Sequence, residues 1–281
     1  MSPRAEPLGS STGPVPSRWR PAPALTASAV LHAVALPALL VAPGAWPLWA
    51  GAILADHLAL GLLGLLPDAG AIGPSLARLP AAAAARGEVA LTFDDGPDPE
   101  VTPRVLDLLD RAGARASFFC VGRRAARHPA LVAEIAARGH GVENHSLRHA
   151  AGFALRGPWA IRRELLAAQA VLTAAAGRAP RFVRAPFGIR GPMLDPALAG
   201  TGLRHVAWTR RGRDTVRGDP AQVLGRLTRG LAGGDILLLH DAGAAPAPDG
   251  APVVLAVLPA LLARLADAGL RAVSLSEAVA A

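Results

Sequence analysis

Two adjacent carboxylates, Asp94 and Asp95, stand where an apolar run ends in "VALTFDDGPDPE". One interpretation is a simple turn, because Asp, Gly and Pro commonly connect secondary-structure elements. The other is that the two carboxylates divide a chemical task, so that one binds a cation and the other handles a proton. A bound cation would lower the cost of holding two like charges side by side.

A second polar group contains His145 and His149, in "ENHSLRH". The H-x-x-x-H spacing puts two imidazoles on one face of a helical turn, which lets one element supply two metal ligands. Such a pair is also common as a purely structural feature. With an aspartate from another strand it becomes a His-His-Asp set, which typically holds a catalytic zinc with one position open for water.

Further along the chain, Arg184, Asp214 and His240 also follow apolar runs. Arg184 can pair with the carboxylate that does not bind metal and keep it ionised, although a lone Arg also forms weak surface ion pairs. His240 ends the apolar run "DILLLH". It is either a hydrogen-bonded core histidine or a proton donor.

The elements that must position these side chains alternate in type from Gly87 onward. The short β-rich runs are "EVALTF", "ASFFCV", "HGVEN", "RFVRAP", "LRHVAWT", "DILLLH" and "RAVSL". Helices are predicted between them, at 103–111, 124–138, 158–176, 195–199, 220–231 and 252–268. This alternation predicts an α/β fold with parallel strands and outer helices, a barrel or distorted barrel of the (β/α) type. Loops at the carboxyl ends of the strands would gather the polar residues at one mouth.

Four of these stretches, in this order, resemble a known family. They are "TFDDGP", "NHSLRH", "RAPFG" and "ILLLHD", and the intervening "GARASFFCVG" and "HPALVAEIAARGHGVENHS" fit the same pattern. Residues 88–275 resemble the NodB-type polysaccharide deacetylase domain. The resemblance implies a distorted (β/α) barrel that removes an N-acyl group, acetyl or alternatively formyl, from an amino sugar in a metal-dependent hydrolysis.

The resemblance also implies a role for each matching residue. Asp94 would be the general base, and the metal ligands would be Asp95, His145 and His149. The metal is expected to be zinc, with cobalt and nickel as alternatives.

The remaining implied roles concern the acyl group and the leaving amine. Arg184 would hold Asp94, and His240 would be the general acid with Asp214 orienting it. The backbone N–H of Phe187 would bind the oxyanion, and Leu239 would line the pocket for the acyl methyl.

Two departures from the family pattern stand out. Phe187 replaces the frequent Tyr, which leaves a backbone donor unchanged. The stretch "WTRRGRDT" replaces an Asp-rich motif that ends in Asp-Trp, so that Thr215 stands where a Trp would form a wall of the sugar groove. The second departure concerns the choice of sugar more than the chemistry.

Composition excludes several classes of function. The chain has 281 residues and a net charge of +8, and all 29 of its Lys and Arg residues are Arg. These arginines are scattered and form no aromatic-studded basic face, so no nucleic-acid binding is predicted. The single Cys120 excludes an internal disulfide and a cysteine-based zinc site. Its apolar surroundings predict a buried, inert thiol.

The amino-terminal part has a different character. Residues 1–20 are rich in Pro, Ser and Gly and are predicted to be disordered. Two apolar stretches, 24–42 and 46–66, predict a two-helix transmembrane hairpin over 21–67, in which Asp56 faces the partner helix or a polar pocket. The alternative is a cleaved signal peptide followed by an amphipathic segment. A linker over 68–86 and the deacetylase domain over 87–281 complete the predicted organisation.

Arginines flank the outer ends of this hairpin and are missing from its turn. They are Arg4, Arg18, Arg20, Arg78 and Arg86. The positive-inside rule then predicts a multi-pass protein of the bacterial cytoplasmic membrane with its catalytic domain on the cytoplasmic side.

The predicted membrane topology affects which substrate is expected. The expected substrate is an N-acylated amino-sugar polymer or a lipid-linked saccharide, and a cytoplasmic domain with an altered groove wall favours the latter. The competing hypothesis is an inactive deacetylase-like barrel that serves as a membrane-anchored binding module. Because every catalytic position is filled, the enzyme is the favoured interpretation.

Overall fold

A computed structural model describes residues 19–66 and 68–280. Of the segment predicted to be disordered, residues 1–18 lie outside this described part. Pro67, at the end of the predicted hairpin, and the terminal Ala281 lie outside it as well.

Parallel strands form the centre of the larger domain. The strands are β1 (Glu88–Asp94), β2 (Ser117–Cys120), β3 (Gly141–Asn144), β4 (Phe182–Val183), β5 (Arg204–His205), β6 (Arg210–Arg211), β7 (Ile236–His240) and β8 (Arg271–Val273). Their order in the sheet is β5-β4-β3-β2-β1-β7-β6, and β8 also pairs with β1. The sheet curls into a half-barrel, which confirms the predicted distorted (β/α) barrel.

Helices connect the strands on the outside. The helices are α1 (Pro23–Val41), α2 (Trp46–Gly64), α3 (Ala81–Ala85), α4 (Thr102–Arg111), α5 (Gly122–Arg127), α6 (Pro129–Ala137), α7 (Pro158–Ala176), α8 (Leu194–Leu198), α9 (Pro220–Thr228), α10 (Val253–Asp267) and α11 (Leu275–Ala280). The single helix predicted over 124–138 is wrong, because the chain breaks at His128 between α5 and α6. Pro129 lacks a backbone N–H and disfavours helical backbone angles in the residue before it, and His128 accordingly has φ −129° and ψ 55°.

Strand β1 is buried along its whole length and divides the core into two sides. Val89, Leu91 and Phe93 belong to the cluster packed with the outer helices. Ala90, on the other face, belongs to a cluster inside the barrel. Because successive side chains of a strand point to opposite faces, Asp94 shares the inner face with Ala90. The strand therefore delivers this carboxylate into the barrel.

Helices α1 and α2 form a hairpin joined by a short turn at Pro43–Ala45. Each has 19 residues, and a rise of about 1.5 Å per residue makes each about 28 Å long. That length matches the hydrocarbon thickness of a bilayer. Only 17% of the most apolar window of the first and 11% of the second is buried, so neither resembles the core helix of a soluble domain.

Polar side chains of the hairpin meet between its two helices. Ser28 Oγ donates a hydrogen bond to Asp56 Oδ2 at 2.7 Å. The rings of His32 and His57 stack with their centroids 5.3 Å apart. The prediction that Asp56 faces the partner helix is confirmed.

The segment 68–86 packs against the barrel. Leu76 forms a parallel bridge with Val206, and the Leu79 N–H donates to the Gly234 carbonyl at 2.9 Å. Leu76, Leu79 and Ala83 are buried in the inner core cluster. This stretch, predicted as a linker, therefore holds the hairpin close to the domain.

Candidate active site

Five of the seven polar catalytic or metal-binding candidates line one pocket of about 210 Å³ at the carboxyl ends of the strands. The other two, Arg184 and Asp214, contact Asp94 and His240. The pocket is lined by Asp94, Asp95, His145, His149, Phe187, Gly188, Trp208, Arg211, Thr215, Leu238, His240 and Gly243. A larger cleft of about 590 Å³ lies between α4 and α10. None of the described residues that line that cleft is an acid or a histidine, so the smaller pocket is the candidate site.

Asp95, His145 and His149 form a compact group. Asp95 Oδ1 lies 3.3 Å from His145 Nε2 and 3.1 Å from His149 Nε2. This oxygen is buried and has no hydrogen-bond partner of acceptable geometry among the described residues. A buried carboxylate oxygen without a donor, facing two imidazole nitrogens, fits a divalent cation with His and Asp ligands.

The orientation of His145 supports the same interpretation. Its Nδ1 lies 2.9 Å from the Arg184 carbonyl oxygen, to which it donates in the neutral ring. The lone pair is then on Nε2, the nitrogen that faces Asp95. Hydrogen bonds of this kind commonly orient histidines that bind metals.

The two histidines do not lie on a helical turn, which corrects the prediction from their spacing. Residues 145–149 form a loop in which Ser146 and His149 have φ values of 64° and 53°. Asn144 Oδ1 accepts from the Ser146 N–H at 2.9 Å, and Ser146 Oγ accepts from the His149 N–H at 3.0 Å. Asp95 also lies in the left-handed region, at φ 75°. Strained backbone of this kind tends to occur at functional sites.

Asp94 has a different partner from Asp95. Arg184 Nη1 donates to Asp94 Oδ1 at 2.6 Å, and both side chains are buried. The same guanidinium donates to Thr92 Oγ1 and to the Ala207 carbonyl, each at 2.9 Å. Burial lowers the pKa of Arg184, and the charge of Asp94 acts against that shift. These hydrogen bonds therefore hold the Arg184 guanidinium in place, with its positive charge next to Asp94.

The protonation state of Asp95 also follows from its neighbours. Burial raises its pKa, but the imidazoles of His145, His149 and His240 outweigh burial and lower the pKa to about 2. Asp95 is thus ionised at neutral pH, as a metal ligand must be.

His240 is held by Asp214 through both its side chain and its backbone. Its Nδ1 lies 2.9 Å from Asp214 Oδ1, and its N–H donates to Asp214 Oδ2 at 2.8 Å. Burial lowers the pKa of His240, but hydrogen bonding and the charge of Asp214 raise it more, and the net shift is upward. His240 therefore keeps its proton to higher pH than an ordinary histidine.

The assignment of Leu239 to the acyl pocket is corrected by the structure. Leu239 belongs to the outer core cluster, together with Val223 and Leu227. Leu238 lines the pocket with His240. Because side chains alternate along β7, His240 and Leu239 cannot face the same side.

Trp208 is a pocket residue that sequence reasoning missed. It lines the pocket although Thr215 stands where a groove-wall Trp was expected. Gly188 leaves room for it, because a Cβ there would overlap the indole ring. The position of Trp208 shortly after β5 was the available signal. Phe187, another lining residue, is half exposed at φ 58°, with its ring centroid 4.5 Å from that of His149.

Asp241 received no role from the sequence, yet it anchors the turn that carries Asp95. Its carboxylate accepts from the Gly96 N–H at 3.1 Å and from Thr102 Oγ1 at 2.6 Å. Burial raises its pKa to about 7 even though the Thr102 hydrogen bond acts to lower it. A Cβ at Gly96 would overlap this carboxylate, so the turn depends on glycine.

The chain is similar in sequence to proteins of known name. The polysaccharide deacetylase family model matches residues 81–206. Over 154 residues the chain is 36% identical to a chitooligosaccharide deacetylase of Bradyrhizobium, covering 54% of this chain and 70% of the relative. Over 191 residues it is 30% identical to a peptidoglycan-N-acetylglucosamine deacetylase of Bacillus cereus, covering 67% and 86%.

A solved structure agrees with the sequence relatives. The family 4 carbohydrate esterase from Streptomyces lividans, in complex with acetate, superimposes with a TM-score of 0.60 at 31% identity, covering 66% of this chain and 91% of that one. Fold and relatives define a hydrolase that acts on carbon–nitrogen bonds other than peptide bonds. The chain belongs to the polysaccharide deacetylase family.

Proposed function

We propose that this protein is a metal-dependent N-deacetylase of amino sugars in a saccharide. The observation that supports it most strongly is the single pocket in which Asp94, held by Arg184, lies beside the His-His-Asp group and His240. The relatives named above act, by their names, on chitooligosaccharide and on N-acetylglucosamine of peptidoglycan.

Asp95, His145 and His149 would hold the metal ion, with zinc favoured over cobalt and nickel for this mixture of nitrogen and oxygen ligands. A divalent ion there would supply Lewis-acid chemistry, polarising the N-acyl carbonyl and acidifying the attacking water.

The protein groups would then move the protons. Asp94, held by the hydrogen bond from Arg184, takes a proton from water as the water oxygen bonds to the acyl carbon. The Phe187 N–H donates to the developing oxyanion. His240, oriented by Asp214, donates a proton to the nitrogen as the C–N bond breaks. The products are an amine and a carboxylate, and Leu238 would contact the acyl methyl.

The test is acetate release from a short N-acetylglucosamine oligomer by the full chain, with zinc added or chelated. The proposal requires release that depends on metal. A protein that binds metal but releases no acetate would instead support the inactive, membrane-anchored module.

We also propose that the α1–α2 hairpin spans the bacterial cytoplasmic membrane with the barrel on the cytoplasmic side. Arg20, Arg78 and Arg86 support this orientation, and Arg4 and Arg18 lie outside the described residues. The orientation is tested with two reporters fused to the carboxyl terminus, one active only in the cytoplasm and one active only outside it. An active external reporter would overturn the orientation.

The pH profile of Asp214→Asn tests the role of His240. His240 must be protonated to act as an acid, so kcat falls as pH rises through its raised pKa. Removing the Asp214 charge lowers that pKa, so we expect the alkaline limb to move to lower pH and kcat at neutral pH to fall at least about tenfold. The exposed Asp219 caps α9, a role that Asn fills equally well, so Asp219→Asn should leave the profile unchanged. An unshifted limb in Asp214→Asn would remove His240 from the acid role.

A further inference from the structure

A short segment connects the pocket to the end of the hairpin. Phe187 lines the pocket, and three residues later the Arg190 N–H donates to the Gly64 carbonyl at 2.9 Å, where α2 ends. Three residues of extended chain span at most about 11 Å. The pocket wall therefore lies within about 11 Å of residue 190, which touches the end of a candidate membrane span.

This contact is fixed rather than incidental. Arg190 is 2% exposed, and its guanidinium donates to the Pro74 carbonyl at 3.1 Å. A Cβ on Gly64 would overlap the Arg190 backbone, so the two segments touch directly. Four residues before α1 begins, the Trp19 indole donates to Asp195 Oδ2 at 2.7 Å. Both outer ends of the hairpin are thus joined to the segment that follows the pocket wall.

Large apolar side chains are exposed around this junction. Ala154 packs against Gly191 so closely that a Cβ there would overlap its carbonyl, which places the turn Phe153–Leu155 beside the segment. Four of these apolar side chains are here called the rim. They are Leu155, which is 92% exposed, Trp159 (83%), Ile189 (38%) and Met193 (37%). Large exposed apolar side chains in two segments that touch, 153–159 and 189–193, mark an interaction surface.

We propose that the rim lies in the interface of the bilayer that holds the hairpin, and that the pocket acts on an amino sugar carried by a membrane lipid. The inference rests on the proposed deacetylase activity and membrane hairpin. Trp is typical of membrane interfaces, and Arg163, exposed one helical turn beyond Trp159 on α7, adds a cation for lipid phosphate. The proposed contact of the rim with the bilayer does not depend on which side of the membrane the barrel occupies, because the barrel and both hairpin ends share one side.

The first test measures depth in the bilayer. The full chain is placed in nanodiscs of phosphatidylethanolamine and phosphatidylglycerol, with Trp159→Cys carrying a fluorophore; the native Cys120 is buried. Asp267→Cys is the control, at the exposed end of α10, where the chain leads into the amino-terminal end of β8. Spin-labelled lipid should quench the label at 159 strongly and the label at 267 weakly. Equal quenching at the two sites would overturn the proposal.

The second test compares the rates on a water-soluble and on a lipid-linked substrate. The double variant Leu155→Ser/Trp159→Ser should act on a water-soluble N-acetylglucosamine oligomer within about twofold of wild type. On polyprenyl-phosphate-linked N-acetylglucosamine in the same nanodiscs, its rate should fall about tenfold or more. Val216→Ser, a matched loss of an exposed apolar side chain between β6 and α9, should change neither rate.

The outcomes are distinct. Equal loss on both substrates would assign the rim to a sugar chain stacked on Trp159 and overturn the membrane contact. An unchanged rate on the lipid-linked substrate would also overturn it. Wild-type protein inactive on both substrates would contradict the proposed function itself.

Discussion

We expect the Asp94→Asn variant to keep its metal ion and to lose turnover by about 10²–10⁴-fold, the usual contribution of a general base. The amide oxygen of Asn can still accept the hydrogen bond from Arg184, so the pocket keeps its shape. The amide cannot take a proton from water. The measurements are kcat on an N-acetylglucosamine oligomer and metal content by elemental analysis.

The neighbouring Asp95 provides the comparison. Asp95→Asn should weaken metal binding, because this carboxylate faces both imidazoles. The same exchange at the exposed Asp249 should change neither quantity. If Asp94→Asn and Asp95→Asn lost metal and rate alike, the division of tasks between the two carboxylates would be wrong.

The second large effect is expected from His145→Ala. It removes one nitrogen of a group whose ligand atoms all lie within 4.8 Å of one another, so the pocket should lose most of its metal and nearly all of its activity. Zinc content and acetate release of the same preparation measure the two losses.

Two other histidines serve as controls for this variant. His128 lies at the break between α5 and α6, outside the pocket, and His128→Ala should keep both metal and activity. His32 belongs to a second group with ligand spacing, together with Asp56 and His57 in the hairpin. His32→Ala should leave activity unchanged, whatever metal that group holds. Full activity in His145→Ala would contradict the assignment of the pocket as the metal centre.

The alternation of β-rich and helical stretches was sufficient to predict where Asp94, Arg184 and His240 would meet. Parallel strands bring their carboxyl ends to one edge, so a residue at the end of each run reaches the same pocket regardless of its distance along the chain. The structure contains the predicted pairing of Arg184 with Asp94, and it also contains the pairing of Asp214 with His240 that the family resemblance implies.

The predictions that the structure corrects have local physical causes that a sequence motif does not show. The spacing of His145 and His149 cannot show that the chain between them has positive φ values. The choice between Leu238 and Leu239 depends on which face of β7 turns inward, and a run of apolar residues carries no alternation to indicate it. Trp208 follows β5, a position that points to the pocket, but it lies outside the four recognised motifs.

Asp94 and His240 are paired residues on the neighbouring strands β1 and β7. Main-chain hydrogen bonds hold such strands about 4.8 Å apart, so the backbone ladder sets the spacing of the proposed base and acid. The groove wall, in contrast, comes from loops that contain Trp208 and Thr215. Loop substitutions can therefore change which sugar is accepted without moving the two proton-transfer groups. This separation gives the scaffold a route by which its specificity can evolve while its chemistry stays constant.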